Sequence, residues 1–184
     1  MEEDKAEKIV RIARDIFERE GVRKTTISAI MREAGITREL FYYYFKNKSE
    51  LIEAVLDSYS DDVAADIKAW SNHFDTGEQN FADLVGYFRS CMNNEVESCR
   101  AMHAVMKETQ SSETMASRVV VRAISVLRNT DFFRLCERCS PVPAEQGLAF
   151  VLNAIFGMFR SDMGTSDKVV VRLSREALCL PDDI

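Results

Sequence analysis

Apolar residues recur every three or four positions along most of this chain, which is the spacing of amphipathic α-helices. The segments that carry the pattern run over residues 9–21, 25–34, 37–45, 48–70, 81–106, 115–135, 144–163 and 166–180. The three valines at residues 119–121 favour a strand, but the helix-forming residues around them and the lack of an alternating partner segment favour a helix. The pattern therefore predicts an all-α protein.

Residues 25–45 contain two short amphipathic segments separated by a glycine. Thr25 or Thr26 can cap the first segment, whose apolar residues begin at Ile27. Gly35 follows that segment, and a glycine there can take the left-handed conformation that a sharp turn requires. Thr37 can then cap the second segment. This order of cap, helix, glycine turn and cap predicts a helix-turn-helix.

The second of these helices is predicted to have two chemically different faces, because each residue turns the helix by about 100°. Its inward arc groups Leu40, Phe41, Tyr44 and Phe45, and its outward arc groups Arg38, Glu39, Tyr42 and Tyr43. In a DNA major groove an arginine can pair with guanine and a glutamate can accept from cytosine, while tyrosine hydroxyls can reach phosphates. The second helix is therefore predicted to be a DNA recognition helix.

At these positions the chain resembles the TetR/AcrR family of bacterial transcriptional regulators. The resemblance lies in residues 9–21, in Thr26, in the turn Ala34, Gly35, Ile36 and Thr37, and in Tyr42, Tyr44, Phe45, Lys48, Glu50 and Leu51. It covers about the first third of the chain, and it departs from the family pattern at Glu39 and Leu40. The predicted DNA-binding residues are Thr26, Ser28, Thr37, Arg38, Glu39, Tyr42, Tyr43, Lys46 and Lys48, of which the two lysines are expected to neutralise phosphates.

The resemblance implies two domains: a three-helix DNA-binding domain over residues 1–50, and a helical ligand-binding and dimerisation domain over residues 51–184. We expect the segment at residues 48–70 to be one long helix that joins them, followed by a break at residues 71–80. The two prolines at residues 141 and 143 predict a later loop.

Aromatic and methionine side chains in the second domain suit the walls of a ligand pocket. The expected ligand-binding residues, which follow from the family resemblance, are Trp70, Phe74, Phe88, Met92, Met102, His103, Met106, Phe132 and Phe156. Each of these apolar residues can equally be ordinary core, and His103 can be a histidine without a ligand role.

A stripe of small and apolar residues marks the helix that follows the two prolines. Glycine disfavours a helix interior by up to about 1 kcal/mol, so its presence there indicates close approach of another helix. In the family the last two helices form the dimer, and the implied interface residues are Gly147, Val151, Ala154, Gly157, Met158 and Leu173. The alternative is that the stripe packs only within its own subunit.

Charge separates the two predicted domains. The whole chain of 184 residues carries a net charge of −6, but residues 21–48 contain six basic and two acidic side chains, a net charge of +4. Residues from 51 onward carry thirteen basic and twenty acidic side chains, a net charge of −7. A basic DNA-binding surface on an acidic body would let DNA approach from one side.

The five cysteines suggest an alternative function. Cys136 and Cys139 have a spacing that can hold zinc or cycle as a redox pair, although zinc needs four ligands and no second such pair is present. Cys99 and His103 lie four residues apart, which is a weaker metal-sensing pattern. Buried or incidental cysteines are the default interpretation, and we expect no metal and no cofactor.

The sequence contains no glycine-rich phosphate loop, no ordered Ser/His/Asp set and no zinc-enzyme helix motif, so we predict that the protein is not an enzyme. No run of eighteen apolar residues is present and the first residues do not resemble a signal peptide, so we expect a cytoplasmic protein without a membrane partner. The predicted function is a homodimeric transcriptional repressor released from a palindromic operator by a small apolar or aromatic ligand. The alternatives are a redox- or metal-responsive regulator and a helical interaction module that does not bind DNA.

Overall fold

The computed structural model describes residues 4–75, 77–109, 112–160 and 165–181, and the regular structure in those ranges is α-helical. The helices are α1 (Lys5–Glu20), α2 (Ile27–Ala34), α3 (Arg38–Tyr44), α4 (Lys48–Asp75), α5 (Phe81–Met92), α6 (Glu97–Thr109), α7 (Ser112–Leu127), α8 (Asp131–Cys139), α9 (Ala144–Arg160) and α10 (Asp167–Leu178). The all-α prediction is confirmed, and the valines at residues 119–121 lie inside α7.

The chain divides into two compact units, and it enters the first of them twice. The first unit comprises Met1–Tyr59 and Arg100–Ser112, and the second comprises Ser60–Cys99 and Glu113–Ile184. α4 and α6 therefore each contribute residues to both units. The boundary expected at residue 50 lies within α4, and the sequence pattern did not indicate that part of α6 belongs with the helix-turn-helix.

The first unit has its own apolar core. Its buried side chains on α1 are Ile9, Ile12, Ala13, Ile16 and Phe17, at the three- and four-residue spacing of one helix face. α1 packs against α2, which buries Ile30 and Ala34. Tyr59 of α4 is also fully buried, and its hydroxyl donates to Glu18 Oε1 at 2.7 Å. These contacts join α1 to α2 and to the first half of α4.

The turn between α2 and α3 has the predicted geometry. Gly35 has φ 64° and ψ 38°, the left-handed conformation that glycine adopts without a steric penalty. The N–H of Ile36 donates to the carbonyl of Met31 at 3.1 Å, as expected for this type of helix end. The Thr37 hydroxyl then accepts from the N–H of Leu40 at 3.3 Å and caps α3. Local sequence is therefore sufficient to specify this turn.

α4 is longer than its sequence pattern predicted. It continues into the first half of the expected break at residues 71–80 and ends at Asp75, and the described residues 77–80 are not helical. The hydroxyl of Ser71 donates to the carbonyl of Lys68 at 2.7 Å, which satisfies a polar group inside the helix. One turn later the Phe74 ring packs 5.3 Å from that of Trp70, centroid to centroid. The Asp75 carboxylate accepts from the first N–H groups of α8, so α4 ends on a tertiary contact that periodicity does not reveal.

The second unit is built around α9. α5, α8 and α10 all pack on α9, and α10 also packs on α5. Arg89 of α5 donates to the carbonyl of Thr165 at 2.6 Å and pairs with the carboxylate of Asp167 at the start of α10. The predicted loop with prolines precedes α9, whose expected end near Met163 lies outside the described residues.

Within the described ranges, no single helix is both long and apolar enough to cross a membrane. α8 together with the described part of α9, which are bent by 101°, meets the same test by length and composition only.

Candidate DNA-binding site

The two faces predicted for α3 are present in the structure. Phe41 is completely buried and Phe45, which follows the helix, is 7% exposed. On the opposite side Tyr43 is 80% exposed and Tyr42 is 42% exposed, and Arg38 and Glu39 are exposed as well. An exposed large aromatic side chain is unusual for a core helix, so this face is available to a partner.

The exposed side chains of α3 are organised by contacts among themselves. The Arg38 guanidinium carbon lies 5.4 Å from the centre of the Tyr42 ring, within the range of a cation–π contact. Hydrogen bonds from its own backbone N–H and from the Thr37 hydroxyl hold the pKa of Glu39 below its usual value. Glu39 therefore stays ionised and remains a hydrogen-bond acceptor for a base edge.

The start of α2 presents two further polar side chains on the surface. Thr26 is exposed, and its hydroxyl oxygen accepts from the N–H of Ala29 at 3.1 Å. A hydroxyl that accepts in this way keeps its own hydrogen to donate, for example to a phosphate oxygen. Ser28, in the first turn of α2, is exposed too.

Lys46 and Lys48, which were predicted to act alike, have different environments. The Lys46 side chain is exposed, and the backbone N–H of Lys46 donates to Glu50 Oε2 at 2.7 Å. Lys48 is half-buried, and its ammonium donates to the carbonyls of Val22 and Thr25, the latter at 2.6 Å. Burial lowers the pKa of Lys48. The sequence predicts that Lys48 contacts a phosphate, whereas in the structure its ammonium holds the α1–α2 turn.

A second charged side chain holds the same turn and was not identified from the sequence. Glu108, in the last turn of α6, accepts from the N–H of Arg23 through Oε2 at 2.8 Å. Its Oε1 lies 2.8 Å from the position that a Cβ on Gly21 would occupy, and Gly21 has φ 84°. Only glycine fits there without displacement of the carboxylate. No local signal reveals this contact, because 85 residues separate Arg23 from Glu108.

The structure brings together three of the nine expected ligand-binding residues in one aromatic cluster. Trp70, Phe74 and Phe132 have ring centroids 5.0 to 5.3 Å apart. Phe81 stacks on Phe132 at 6.0 Å and extends the cluster. The indole N–H of Trp70 donates to the carbonyl of Asn80 at 3.0 Å. Direct ring contacts of this kind are typical of a packed core. The cluster packs the end of α4 against α5 and α8.

The other expected ligand-binding residues lie elsewhere. Phe88 and Phe156 form a separate edge-to-face pair at 5.0 Å in the second unit, where Met92 is half-buried at the end of α5. Met102, His103 and Met106 are on the part of α6 that belongs to the first unit. Burial lowers the pKa of His103, so the side chain is neutral at pH 7.

The expected dimer residues fall into two groups. Gly147 and Val151 are buried within the protomer, and a Cβ on Gly147 would lie 3.2 Å from a methyl carbon of Leu178. Ala154 and Met158 are half-buried, whereas Gly157 and Leu173 are exposed. The structure adds Phe150, which is 68% exposed, and Val169, which is 47% exposed. Phe150 and Gly157 lie two helical turns apart on α9, and both are exposed. The sequence stripe included Gly157 but not Phe150.

Cys136 and Cys139 lie on α8, where Cys136 is fully buried and Cys139 is half-buried. Burial raises the pKa of Cys136 to about 12, which disfavours the reactive thiolate. In the part of the chain that the structure describes, no group of three or more histidine, cysteine or carboxylate side chains is placed to hold a metal ion.

The helix-turn-helix segment matches known proteins. Residues 9–55 match the family described as bacterial regulatory proteins, tetR family. HTH-type transcriptional regulator TtgR of Pseudomonas putida is 44% identical over 50 residues, which are 27% of this chain and 24% of that protein. Uncharacterized HTH-type transcriptional regulator YvdT of Bacillus subtilis is 37% identical over 54 residues, which are 29% of this chain and 28% of that protein. The matched segment thus spans about a quarter of the length of these relatives.

Similarity of fold extends over nearly the whole chain. A TetR-family transcriptional regulator from Pectobacterium atrosepticum superposes with a TM-score of 0.60 at 15% identity, covering 96% of this chain and 91% of that one. RolR, solved in complex with the ligand resorcinol, also has a TM-score of 0.60, at 18% identity, covering 98% of this chain and 96% of its own. The helix-turn-helix segment is therefore that of the bacterial tetR family, and the all-helical fold of the chain is the one seen in a solved TetR-family transcriptional regulator.

Proposed function

We propose that this protein is a homodimeric, cytoplasmic transcriptional repressor that binds a near-palindromic DNA operator and is released by a small apolar or aromatic molecule. The observation that carries the proposal is the exposed face of α3. Arg38, Glu39, Tyr42 and Tyr43 stand on a short helix whose other face is anchored in the core. A helix of this size fits the major groove, and these residue types match its donors and acceptors.

We assign base readout to the first turn of α3 and phosphate contacts to its surroundings. Arg38 can donate two hydrogen bonds to a guanine, and the ionised Glu39 can accept from a cytosine amino group. The exposed Lys46 supplies charge beyond the end of α3, and Thr26 supplies a hydroxyl at the start of α2. Phosphate contacts of this kind set the register of a protein on DNA, whereas base contacts set its sequence preference.

We further propose that the exposed apolar side chains of α9 and α10 form the dimer interface. Phe150, Val169 and Leu173 are each about half exposed or more, and Gly157 lets a second helix approach closely. A two-fold axis through this face pairs the same residues of both protomers. A dimer of recognition helices then meets two half-sites, and this symmetry is what requires a near-palindromic operator.

The ligand is proposed to act through α4. Its first residue, Lys48, holds the α1–α2 turn, and its last turns carry Trp70 and Phe74 of the aromatic cluster. A molecule that packs against this cluster shifts α4 only if it binds two arrangements of the protein with different affinity. RolR, which has the same fold, was solved with resorcinol, so an aromatic compound is our first choice of ligand class.

Two other functions are less well supported. A redox- or metal-responsive regulator that uses Cys136 and Cys139 requires a reactive thiol, whereas burial disfavours the thiolate of Cys136. A helical interaction module without DNA binding leaves the exposed Arg38, Tyr42 and Tyr43 without a role. Selection of bound sequences from a random pool of duplex DNA separates these possibilities: the repressor should enrich an inverted repeat, and enrichment of no sequence would favour the interaction module.

Replacement of Arg38 by alanine should weaken operator binding by about 1 to 3 kcal/mol, because a bidentate base contact is lost. The side chain is exposed, so the melting temperature should stay unchanged. Titration of the selected operator and thermal melting measure the two quantities. Arg134→Ala, which removes an exposed arginine from α8, is the control and should bind as wild type does. An Arg38→Ala protein with wild-type affinity would rule out this readout.

Lys46→Ala and Lys48→Ala should have different effects. Loss of one phosphate contact at Lys46 should lower the slope of log affinity against log salt by roughly 0.9, equally for all DNA sequences. Lys48→Ala leaves two carbonyls of the α1–α2 turn without their charged donor, and should destabilise the fold by about 1.5 to 3 kcal/mol. The salt dependence of binding and urea unfolding test this. Identical behaviour of the two variants would contradict the assignment.

Gly157→Trp should give a folded monomer that loses specific operator binding. Among the described residues outside its own helix backbone and chain neighbours, a Cβ on Gly157 meets no atom within 4 Å, so we expect the protomer to accommodate a side chain that the dimer interface does not. Gly86→Trp on α5 is a matched control, because its Cβ also meets nothing within 4 Å, and it should remain dimeric. Analytical ultracentrifugation measures the oligomeric state. A dimeric Gly157→Trp protein would place the interface elsewhere.

Trp70 is the only tryptophan in the chain, so its fluorescence reports directly on the aromatic cluster. A panel of small aromatic compounds that begins with resorcinol should contain one that quenches this emission and weakens operator binding about 5- to 150-fold. Saturating operator must weaken binding of the same compound by the same factor. A compound that quenches Trp70 but binds free and DNA-bound protein equally well would contradict the proposed switch.

A further inference from the structure

Two buried cysteines face each other across the turn between α5 and α6. Cys91 lies in the last turn of α5 and is 4% exposed, and Cys99 lies in the first turn of α6 and is completely buried. Their Sγ atoms are 2.6 Å apart. Non-bonded heavy atoms prefer a separation of about 3.5 to 4.0 Å, and a disulfide joins its sulfurs at about 2.05 Å. The backbone therefore already holds the two side chains at a distance suited to a covalent link.

The turn itself accounts for this placement. Asn93 caps α5, and Asn94 takes the left-handed conformation with φ 60°. The N–H of Glu95 then donates to the carbonyl of Ser90 at 2.9 Å. These hydrogen bonds reverse the chain within a few residues, so that α6 starts beside the end of α5. Both cysteines belong to the second unit, and Cys99 is its last residue before the chain continues into the first unit.

We propose that Cys91 and Cys99 form a covalent modification site, a dithiol that a hydroperoxide converts into an intramolecular disulfide. The Cys91 sulfur, which is the more exposed of the two, attacks one peroxide oxygen and the O–O bond breaks. This gives a sulfenic acid on Cys91 and one molecule of water, or of alcohol from an organic peroxide. The Cys99 sulfur then attacks the sulfur of Cys91, and the hydroxyl group leaves as a second water. Two thiols are oxidised by two electrons, and the peroxide is reduced.

The surroundings of the pair make its oxidation slow at neutral pH, as burial does for Cys136, but the two sulfurs are already in contact here. The titratable groups near Cys91 are the Cys99 thiol, the Tyr87 hydroxyl and the Asp66 carboxylate. Contact with the Cys99 thiol, and then burial, raise the pKa of Cys91, so little thiolate is present at pH 7. Oxidation should therefore be slow at neutral pH and accelerate as the pH rises, because the thiolate is the nucleophile. The disulfide carries no ionisable group, so burial opposes the thiolate and does not oppose the linked form.

The modification acts on the helix that also holds the DNA-binding unit. α6 begins at the Cys91–Cys99 contact, and its last turn contains Glu108, which accepts from the N–H of Arg23 in the α1–α2 turn. A disulfide restrains the first turn of α6 and thereby restricts the arrangements open to its end. On this ground we expect oxidation to change operator affinity. That expectation rests on the proposed function, whereas the expectation that a disulfide forms is independent of it.

Peptide mapping of the full-length protein tests the site directly. Fully reduced protein, with Cys179→Ser to prevent links between molecules, is treated with hydrogen peroxide, denatured, alkylated and digested with trypsin. Cys91 and Cys99 lie in one tryptic peptide, residues 90–100, whereas cleavage after Arg138 separates Cys136 from Cys139. The expected product is peptide 90–100 without alkyl groups and two hydrogen atoms lighter than the dithiol. The same peptide carrying two alkyl groups, or a link between the peptides of Cys136 and Cys139, would overturn the proposal.

Cys91→Ala tests the assignment and Cys136→Ala is its matched control, because each variant removes one buried thiol. Peroxide should consume two thiols in Cys136→Ala, as in wild type, and should form no disulfide in Cys91→Ala. Cys99→Ala serves as a second variant if Cys91→Ala does not fold. The rate of thiol loss in wild type should increase from pH 7 to pH 9. Loss of two thiols from Cys91→Ala would contradict the assignment, because it would have to come from other cysteines.

Operator titration of the reduced and oxidised proteins separates the two proposals. A change in affinity of about fivefold or more that is absent in Cys91→Ala supports coupling through α6. A disulfide without any change in affinity refutes the coupling but leaves the modification site intact. Failure of the reduced protein to bind any selected sequence is a failure of the proposed function, and peptide mapping still reports on the cysteines.

Discussion

The DNA-binding unit depends on how the turn at residues 21–25 is held. Helix ends leave backbone groups without partners, and here two ionised side chains supply them. Lys48 donates to the carbonyls of Val22 and Thr25, and Glu108 accepts from the N–H of Arg23. Hydrogen bonds with an ionised partner are roughly twice as strong as neutral ones. They fix the path from α1 to α2, and α2 in turn places Gly35 and α3.

The same arrangement explains why α3 can be short and still hold its orientation. A helix of seven residues is too short to be stable by itself in water, so packing must supply its stability. Phe41 and Phe45 insert into the core, and Thr37 and Gly35 fix the entry to the helix. The core contacts of α3 thus use one face of the helix, and Arg38, Glu39, Tyr42 and Tyr43 remain exposed on the other.

Much of this unit follows from local sequence. The glycine turn, the threonine caps and the two faces of α3 each depend on residues within about four positions of one another, which is the range of helical hydrogen bonds and faces. The structure reproduces them. α4 also begins at residue 48, as the apolar spacing predicted. There the side chain of Asn47 accepts from the N–H of Glu50 at 2.9 Å, which is again a local contact. The helical character of the second unit was predictable for the same reason.

Features that involve partners distant in the chain were not predictable from the sequence. The sequence shows that Lys48 is basic but not that its ammonium points to two carbonyls of the preceding turn, and it contains no sign that Glu108 belongs with Arg23. Periodicity likewise detects which residues of α9 are apolar but does not separate Val151, which is buried, from Phe150, which is exposed. The contact of Cys91 with Cys99 depends on an irregular turn that no periodicity describes.

The position of Glu108 has a consequence for engineering. The helix-turn-helix is contiguous in sequence, and it is natural to treat its first 59 residues as a portable module. The compact unit, however, also contains residues 100–112, and these include the carboxylate that pairs with the Arg23 N–H. A fusion protein that borrows only the first segment would lack Glu108, so the Arg23 N–H would lose its partner. Of the two side chains that hold the α1–α2 turn, only Lys48 would remain. A transplantable version of this module needs a replacement acceptor at that place, supplied by the new host protein.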